Sequence, residues 1–203
     1  YSVNDFHILY GKTYEQICKV IKSNGDAAIG RSILVAENVS VVSVAAVLLD
    51  AVCVLSDAEE CALQELSRTL QVDRARLQLE LTLLRASAVD LAAVTALGEG
   101  LICDELRQKV RDRCQRLVNQ SGGDSEGETG ERIALYGRIV NDPQKTSGSL
   151  RDAIGFVFAQ CCTDGDSNVD LAHLGGAMFA VFYEEVHQLL DSIDFEPSME
   201  DRA

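Results

Sequence analysis

The stretch that decides the fold is VSVVSVAAVLLDAVCVL, residues 39–55, in which Asp50 is the one charged side chain. Its length without Gly or Pro favours a helix over a strand, although it is rich in valine, whose branched side chain is stiff at χ1. A membrane-spanning helix needs about 20 apolar residues, and a carboxylate inside the run would be costly in lipid. The stretch therefore predicts the central helix of a water-soluble core.

Helix start and stop signals recur on both sides of this stretch. Capping boxes, in which two side chains satisfy the free N–H groups of a first turn, are predicted at residues 13–16, 56–59 and 149–152. Residues 76–84, RLQLELTLL, alternate with the period of a half-buried strand, but their helix-forming composition favours a helix.

Two further signals concern glycine. A helix beginning at Ser87 is expected to end at Gly98 and Gly100, and Gly175-Gly176 predicts either a helix break or a close contact between helices. Together the patterns predict an all-α fold, an irregular bundle of about eight helices around residues 39–55.

The segment QSGGDSEGETGE, residues 120–131, is the clearest boundary in the chain. It has four glycines, four acidic residues and no basic residue, so it has little apolar surface to bury. The sequence predicts an acidic, Gly-rich loop here. It separates an N-terminal helical lobe, residues 1–119, from a C-terminal helical lobe, residues 132–203, packed on the first.

Composition limits the kinds of partner. The chain has 203 residues, of which 47% are apolar, and 18 basic against 32 acidic residues give a formal charge of −14. Such a charge argues against nucleic acid and anionic membrane surfaces as partners. A protein partner or self-association is the expected alternative, and no transmembrane segment is expected.

No catalytic motif stands out in the sequence. The three histidines, His7, His173 and His187, are scattered, and there is no GxSxG, phosphate-binding or HExxH pattern. We therefore predict that the chain is not an enzyme and has no cofactor, no metal ion and no catalytic residue.

One segment imitates the opening of a calcium loop. Residues 164–170, DGDSNVD, place oxygen ligands at alternate positions, but Val169 and Gly175 stand where an EF-hand has Gly and Glu. A polar turn with Asn168 as a helix cap accounts for the same residues, and it is the interpretation we favour.

The one candidate binding site is a basic face on the predicted helix of residues 101–118. Its members are Arg107, Lys109, Arg111, Arg113 and Arg116. Such a face is suited to phosphate or an acidic partner. Because Asp104, Glu105 and Asp112 interleave with it, and Glu105 and Lys109 are four residues apart, a solvated and self-paired face is the competing interpretation.

Seven cysteines without a CxxC pair favour free thiols and a reducing compartment such as the cytoplasm. The redox state of the adjacent Cys161 and Cys162 stays open. Two glycosylation sequons, beginning at Asn38 and Asn119, keep a secreted or surface location open as well. The chain starts at Tyr1 rather than Met, which leaves room for a preceding domain or targeting segment.

The leading functional hypothesis is a non-enzymatic protein–protein interaction, adaptor or assembly module. Residues 46–60 and 177–190 resemble in pattern the helical autoinhibitory domain of gasdermins, with no diagnostic motif. One alternative, for which the start at Tyr1 leaves room, is a regulatory or autoinhibitory domain that masks an apolar surface of a partner domain. Another is a helical carrier of a small apolar ligand. An exposed apolar surface would favour the first two functions, and a closed apolar cavity the third.

Overall fold

A computed structural model describes residues 39–55, 57–120, 126–141, 149–163 and 168–195. Within these residues the fold is all-α, as predicted, with seven helices and no strand. The helices are α1 (Val41–Cys53), α2 (Asp57–Leu70), α3 (Arg74–Leu97), α4 (Leu101–Gln120), α5 (Glu126–Asn141), α6 (Leu150–Cys162) and α7 (Val169–Asp191). Helices predicted before residue 39 lie outside the described residues, so the expected total of about eight stays a prediction.

The centre of the described bundle is α3, which contacts each of the other helices. Its buried side chains include Leu77, Leu81 and Leu84. The predicted centre, α1, instead packs mainly on α4 and α3 through one face, and Val42 on its other side is 59% exposed. The prediction of a central apolar helix at residues 39–55 is therefore not confirmed. A helix can be apolar on every side and still contact its neighbours through one side.

The predicted helix start at Ser87 is wrong, because α3 continues through it from Arg74 to Leu97. Ser87 is buried, and its hydroxyl donates to the Leu83 carbonyl one turn earlier, at 2.9 Å. This bond satisfies the Ser87 hydroxyl within the helix, so the hydroxyl does not cap a helix start. The predicted end is confirmed, since Gly98 follows the helix with φ of 70° and donates to the Val94 carbonyl.

Helices α6 and α7 pack backbone to backbone at two glycines, Gly155 and Gly176, and Gly175 packs on the Phe158 side chain. A Cβ on Gly155 would lie 2.0 Å from the Ala172 carbonyl oxygen, and one on Gly176 would lie 2.5 Å from the Arg151 carbonyl oxygen. Helix α7 runs unbroken through Gly175-Gly176. Of the two predictions for this pair, the structure therefore shows the close contact.

Local capping follows the sequence where the residues are described. Ser149 and Asp152 form the predicted capping box of α6, and Asn168 caps α7 by accepting the Leu171 N–H at 3.0 Å. The boxes that begin at residues 13 and 56 and most of the calcium-like segment lie outside the described residues. Part of the predicted acidic loop, residues 126–131, belongs to α5, so that loop is shorter than expected.

One hydrophobic core joins the helices before and after the acidic segment. It includes Val44 of α1, Leu84 of α3, Phe158 of α6 and Phe182 of α7. The two ends of the described body also meet, because the Val39 N–H donates to the Asp194 carbonyl at 3.1 Å.

Candidate functional site

The predicted basic face lies on α4, and two of its five residues hold α4 against α3. Arg107 donates from Nε and Nη2 to the two carboxylate oxygens of Asp90, at 2.9 and 3.0 Å. Arg111, one turn further along, reaches Asp90 Oδ1 with Nη2 at 2.7 Å. The hydrogen bond to Asp90 raises the pKa of the Arg107 guanidinium above its usual value. Asp90 therefore holds α4 against α3, in addition to the short segment that joins the two helices.

Two other members of the face pair within their own helix. Lys109 Nζ lies 3.3 Å from Glu105 Oε1, which is the four-residue pair predicted from the sequence. Arg116 donates from Nε to the Asp112 carbonyl at 3.1 Å. Arg113 is exposed and makes no ion pair with a residue that the structure describes. Three members of the basic face are thus held in ion pairs, Arg116 bonds to a backbone carbonyl, and Arg113 makes no hydrogen bond or ion pair with a described residue.

Two thiols that sequence analysis did not connect affect each other's pKa. Interaction between the side chains of Cys53, the last residue of α1, and Cys114 of α4 lowers the pKa of Cys53 and raises that of Cys114. Cys53 is half-buried, whereas Cys114 is fully buried. The two residues are far apart in sequence and match no motif, so only the packing of α1 on α4 accounts for this interaction.

The outer face of α1 is exposed as well. It consists of Val42, Ala46 and Asp50, which are four residues apart, and the exposed Val54 follows directly after the helix with an extended backbone. Val42 is 59% and Val54 62% exposed. The charge of Arg113 on α4 lowers the pKa of Cys53, the residue before Val54.

A first buried polar cluster centres on Arg85 of α3. Its guanidinium forms a hydrogen-bonded ion pair with Glu59 of α2 and donates to the Ala51 carbonyl of α1 at 3.2 Å. It also lies over the Phe182 ring of α7, 5.4 Å from the centroid. One side chain therefore connects four helices through charge, hydrogen bonding and a cation–π contact.

A second cluster lies between α3, α5 and α6. Glu80 is 0% exposed and is paired with Arg132 of α5. The Tyr136 ring is also fully buried, and its hydroxyl has no hydrogen-bond partner among the described residues. Burial, together with the nearby Glu80 charge, raises the pKa of Tyr136 well above its usual range, and the same two causes raise the pKa of Cys162.

Sequence analysis missed both clusters, although a signal for them exists. Glu80 and Arg85 fall among Leu77, Leu81 and Leu84 at helical spacing, so a charged side chain interrupts the apolar stripe of α3. A charge at such a position is expected to be paired, since burying it alone is costly.

The remaining chemical candidates do not assemble into a reaction centre within the described residues. The His187 ring packs against Tyr183, 5.7 Å between centroids, and His173 is exposed. No group of three or more His, Cys, Asp or Glu in this part of the chain is placed to hold a metal ion. None of the described helices is long and apolar enough to cross a bilayer.

These groups predict that the protein loses stability in alkali. Tyr136 and Cys162 stay protonated in the folded state but ionise near pH 10 and 9 in the unfolded chain, so above those values the folded state binds more protons. The free energy of unfolding should then fall by about 1.4 kcal/mol per pH unit for each group. Urea unfolding at pH 7, 9 and 10.5 measures this slope.

Tyr136→Phe provides the comparison, because it removes the hydroxyl that ionises. The variant should lose less stability than the parent between pH 10 and 10.5 and the same amount at lower pH. If the free energy of unfolding fell equally steeply with pH above pH 10 in both proteins, the assignment of this loss to Tyr136 would be contradicted.

Comparison of the chain with protein-family models, with curated proteins and with solved structures gave no match. The functional argument therefore depends on the residues and the geometry described above.

Proposed function

We propose that this chain is a non-enzymatic helical interaction module that docks a protein partner on the outer face of α1 and on Arg113. The observation that supports the proposal is the exposure of Val42 on α1 and of Val54 directly after it, together with Arg113 of α4, an exposed cation that makes no hydrogen bond or ion pair with a described residue. Apolar surface beside a charge is typical of protein docking sites, since burial supplies affinity and the charge supplies orientation.

The chemistry of this surface defines the partner. A helix with an apolar face would cover the two valines, and an acidic side chain on it would face Arg113. Arg107 and Arg111 are not counted as partner contacts, because both are already bound to the Asp90 carboxylate.

The regulatory function is a second candidate, and one observation favours it. Val39 is anchored beside the end of α7, so the chain that precedes it enters the body immediately before α1. A masking segment on the N-terminal side of Val39 would therefore be joined to the body at the start of α1. In this case the same surface would be covered within one polypeptide.

The proposal is tested by sizing with light scattering and by quantitative pull-down with mass spectrometry. Val54→Asp with Arg113→Glu should weaken self-association or partner capture about tenfold or more, because an apolar contact and a charge pair are lost together. Reversal of Arg107 is avoided, since it would also break the contact to Asp90.

Val169→Asp is the matched control. Val169 is 65% exposed at the start of α7, so the same substitution is made on a comparable valine outside the surface. Equal losses in the control and the double variant would contradict the assignment of the surface. A stable monomer that captures no partner in either form would contradict the interaction function itself.

A further inference from the structure

The predicted capping box at residues 13–16 begins a segment that has the pattern of an amphipathic helix. Four apolar residues fall on one side of it, at positions i, i+3, i+4 and i+7: Tyr14, Ile17, Cys18 and Ile21. A single helix of about a dozen residues is marginal in water unless an apolar surface covers such a stripe. Residues 13–24, which lie outside the described residues, therefore require an apolar surface on which to pack.

The outer face of α1 is an apolar surface that the described helices leave open. Val42 is 59% exposed, and Ala46, one turn further along, is exposed as well. The face carries a single charge, the carboxylate of Asp50. Residues 12–22 contain three lysines and one glutamate, and Lys22 borders the apolar stripe. An apolar stripe flanked by a cation matches an apolar face that carries a carboxylate.

The chain joins this segment to the start of α1. Val39 is fixed there, because its N–H donates to the Asp194 carbonyl at 3.1 Å and the residue forms a β-bridge with Phe195. The 14 residues from 25 to 38 precede this anchor, and an extended chain of that length spans up to about 50 Å. Helix α1 has 13 residues, which corresponds to a length of about 20 Å. The segment can therefore reach any part of the outer face of α1.

We propose that residues 13–24 pack on the outer face of α1 and mask it within the same polypeptide. This inference rests on the proposed docking function, since it names the segment that competes with a partner for the docking surface. A tether of this length gives an effective concentration of about 1 mM. A contact with a dissociation constant of about 0.1 mM then lowers the apparent affinity of an external partner about tenfold.

Photo-crosslinking of the full chain tests which segment covers α1. Benzoylphenylalanine replaces Ala46, the protein is irradiated at low micromolar concentration, and peptide mass spectrometry locates the product. The expected product has the mass of a monomer and links position 46 to residues 13–24. The same label at Val169, an exposed valine on α7, should give no link to that segment. A link from position 46 to a second copy or to another segment, or the absence of any link, would overturn the proposal.

Two double variants separate the apolar stripe from the charge of the segment. Ile17→Asp with Ile21→Asp places two carboxylates on the stripe, so the link from position 46 should be lost. Gln16→Asp with Val20→Asp makes the same change in charge at the same spacing, but on the other side of the predicted helix. This control should keep the link, and equal losses in both variants would contradict packing through the stripe.

The unmasked variant also separates masking from docking. Ile17→Asp with Ile21→Asp should raise self-association or partner capture about tenfold, because the tethered competitor is removed. If the link never forms while Val54→Asp with Arg113→Glu still weakens capture, docking stands and masking is wrong. If the link forms and its loss leaves association unchanged, the segment packs on α1 as proposed but the docking function is wrong.

Discussion

Gly155→Ala is expected to destabilise the protein by about 3 kcal/mol, equivalent to a loss of about 8 °C in melting temperature. The added Cβ would lie 2.0 Å from the Ala172 carbonyl oxygen and 2.9 Å from the Gly176 nitrogen. Both atoms belong to the backbone of α7, so neither can rotate away as a side chain would. The helices α6 and α7 must separate, and this disturbs the buried side chains on both of them. Thermal melting and urea unfolding of the purified variant measure the loss.

Gly137→Ala is the control for this prediction. Gly137 lies inside α5, and a Cβ there would meet nothing within 4 Å. The same substitution should stabilise the protein by up to about 1 kcal/mol, because alanine favours a helix over glycine. If Gly155→Ala were as stable as Gly137→Ala, the close packing of α6 on α7 would be wrong.

Arg132→Met should cost about 3–5 kcal/mol in the free energy of unfolding. Glu80 is fully buried, and the substitution removes the guanidinium that balances its charge across α3 and α5. A buried carboxylate that loses its counter-charge bears most of the desolvation penalty, whereas the apolar part of the arginine is largely replaced by methionine. Chemical denaturation near neutral pH is the direct measurement.

Two comparisons isolate the charge effect. The double variant Glu80→Leu with Arg132→Met should recover much of the loss, because neither charge of this pair then remains. Arg68→Ala removes an ion pair to Glu65 in which the side chains are 77% and 51% exposed, so it should cost less than about 1 kcal/mol. A double variant less stable than Arg132→Met would argue against a charge penalty at Glu80.

Fold class and several helix ends were predictable because they depend on neighbouring residues. Ser149, Asn168 and Gly98 each act through backbone groups within one helical turn, and each is found at the helix end expected from its residue type. Ser87 shows the limit of this inference. A serine starts a helix only if its hydroxyl has no better acceptor, and continuation of α3 supplies the Leu83 carbonyl.

The basic face was predictable as a set of residues but not as a site. The pairing of Glu105 with Lys109 follows from their spacing on one helix and was anticipated. The engagement of Arg107 and Arg111 by Asp90 was not, because it depends on the rotation of α4 against α3. The same rotation leaves Arg113 without an ion pair to a described residue.

The sequence by itself determined an all-helical body and the helix ends at Gly98, Ser149 and Asn168, because each follows from local chemistry. Only the tertiary structure decided that α3 lies at the centre of the described bundle and that Arg132 neutralises Glu80. It also decided between the two predictions for Gly175-Gly176. Each of these depends on which side of one helix faces another, and that choice is made by packing over the whole core rather than by any segment alone.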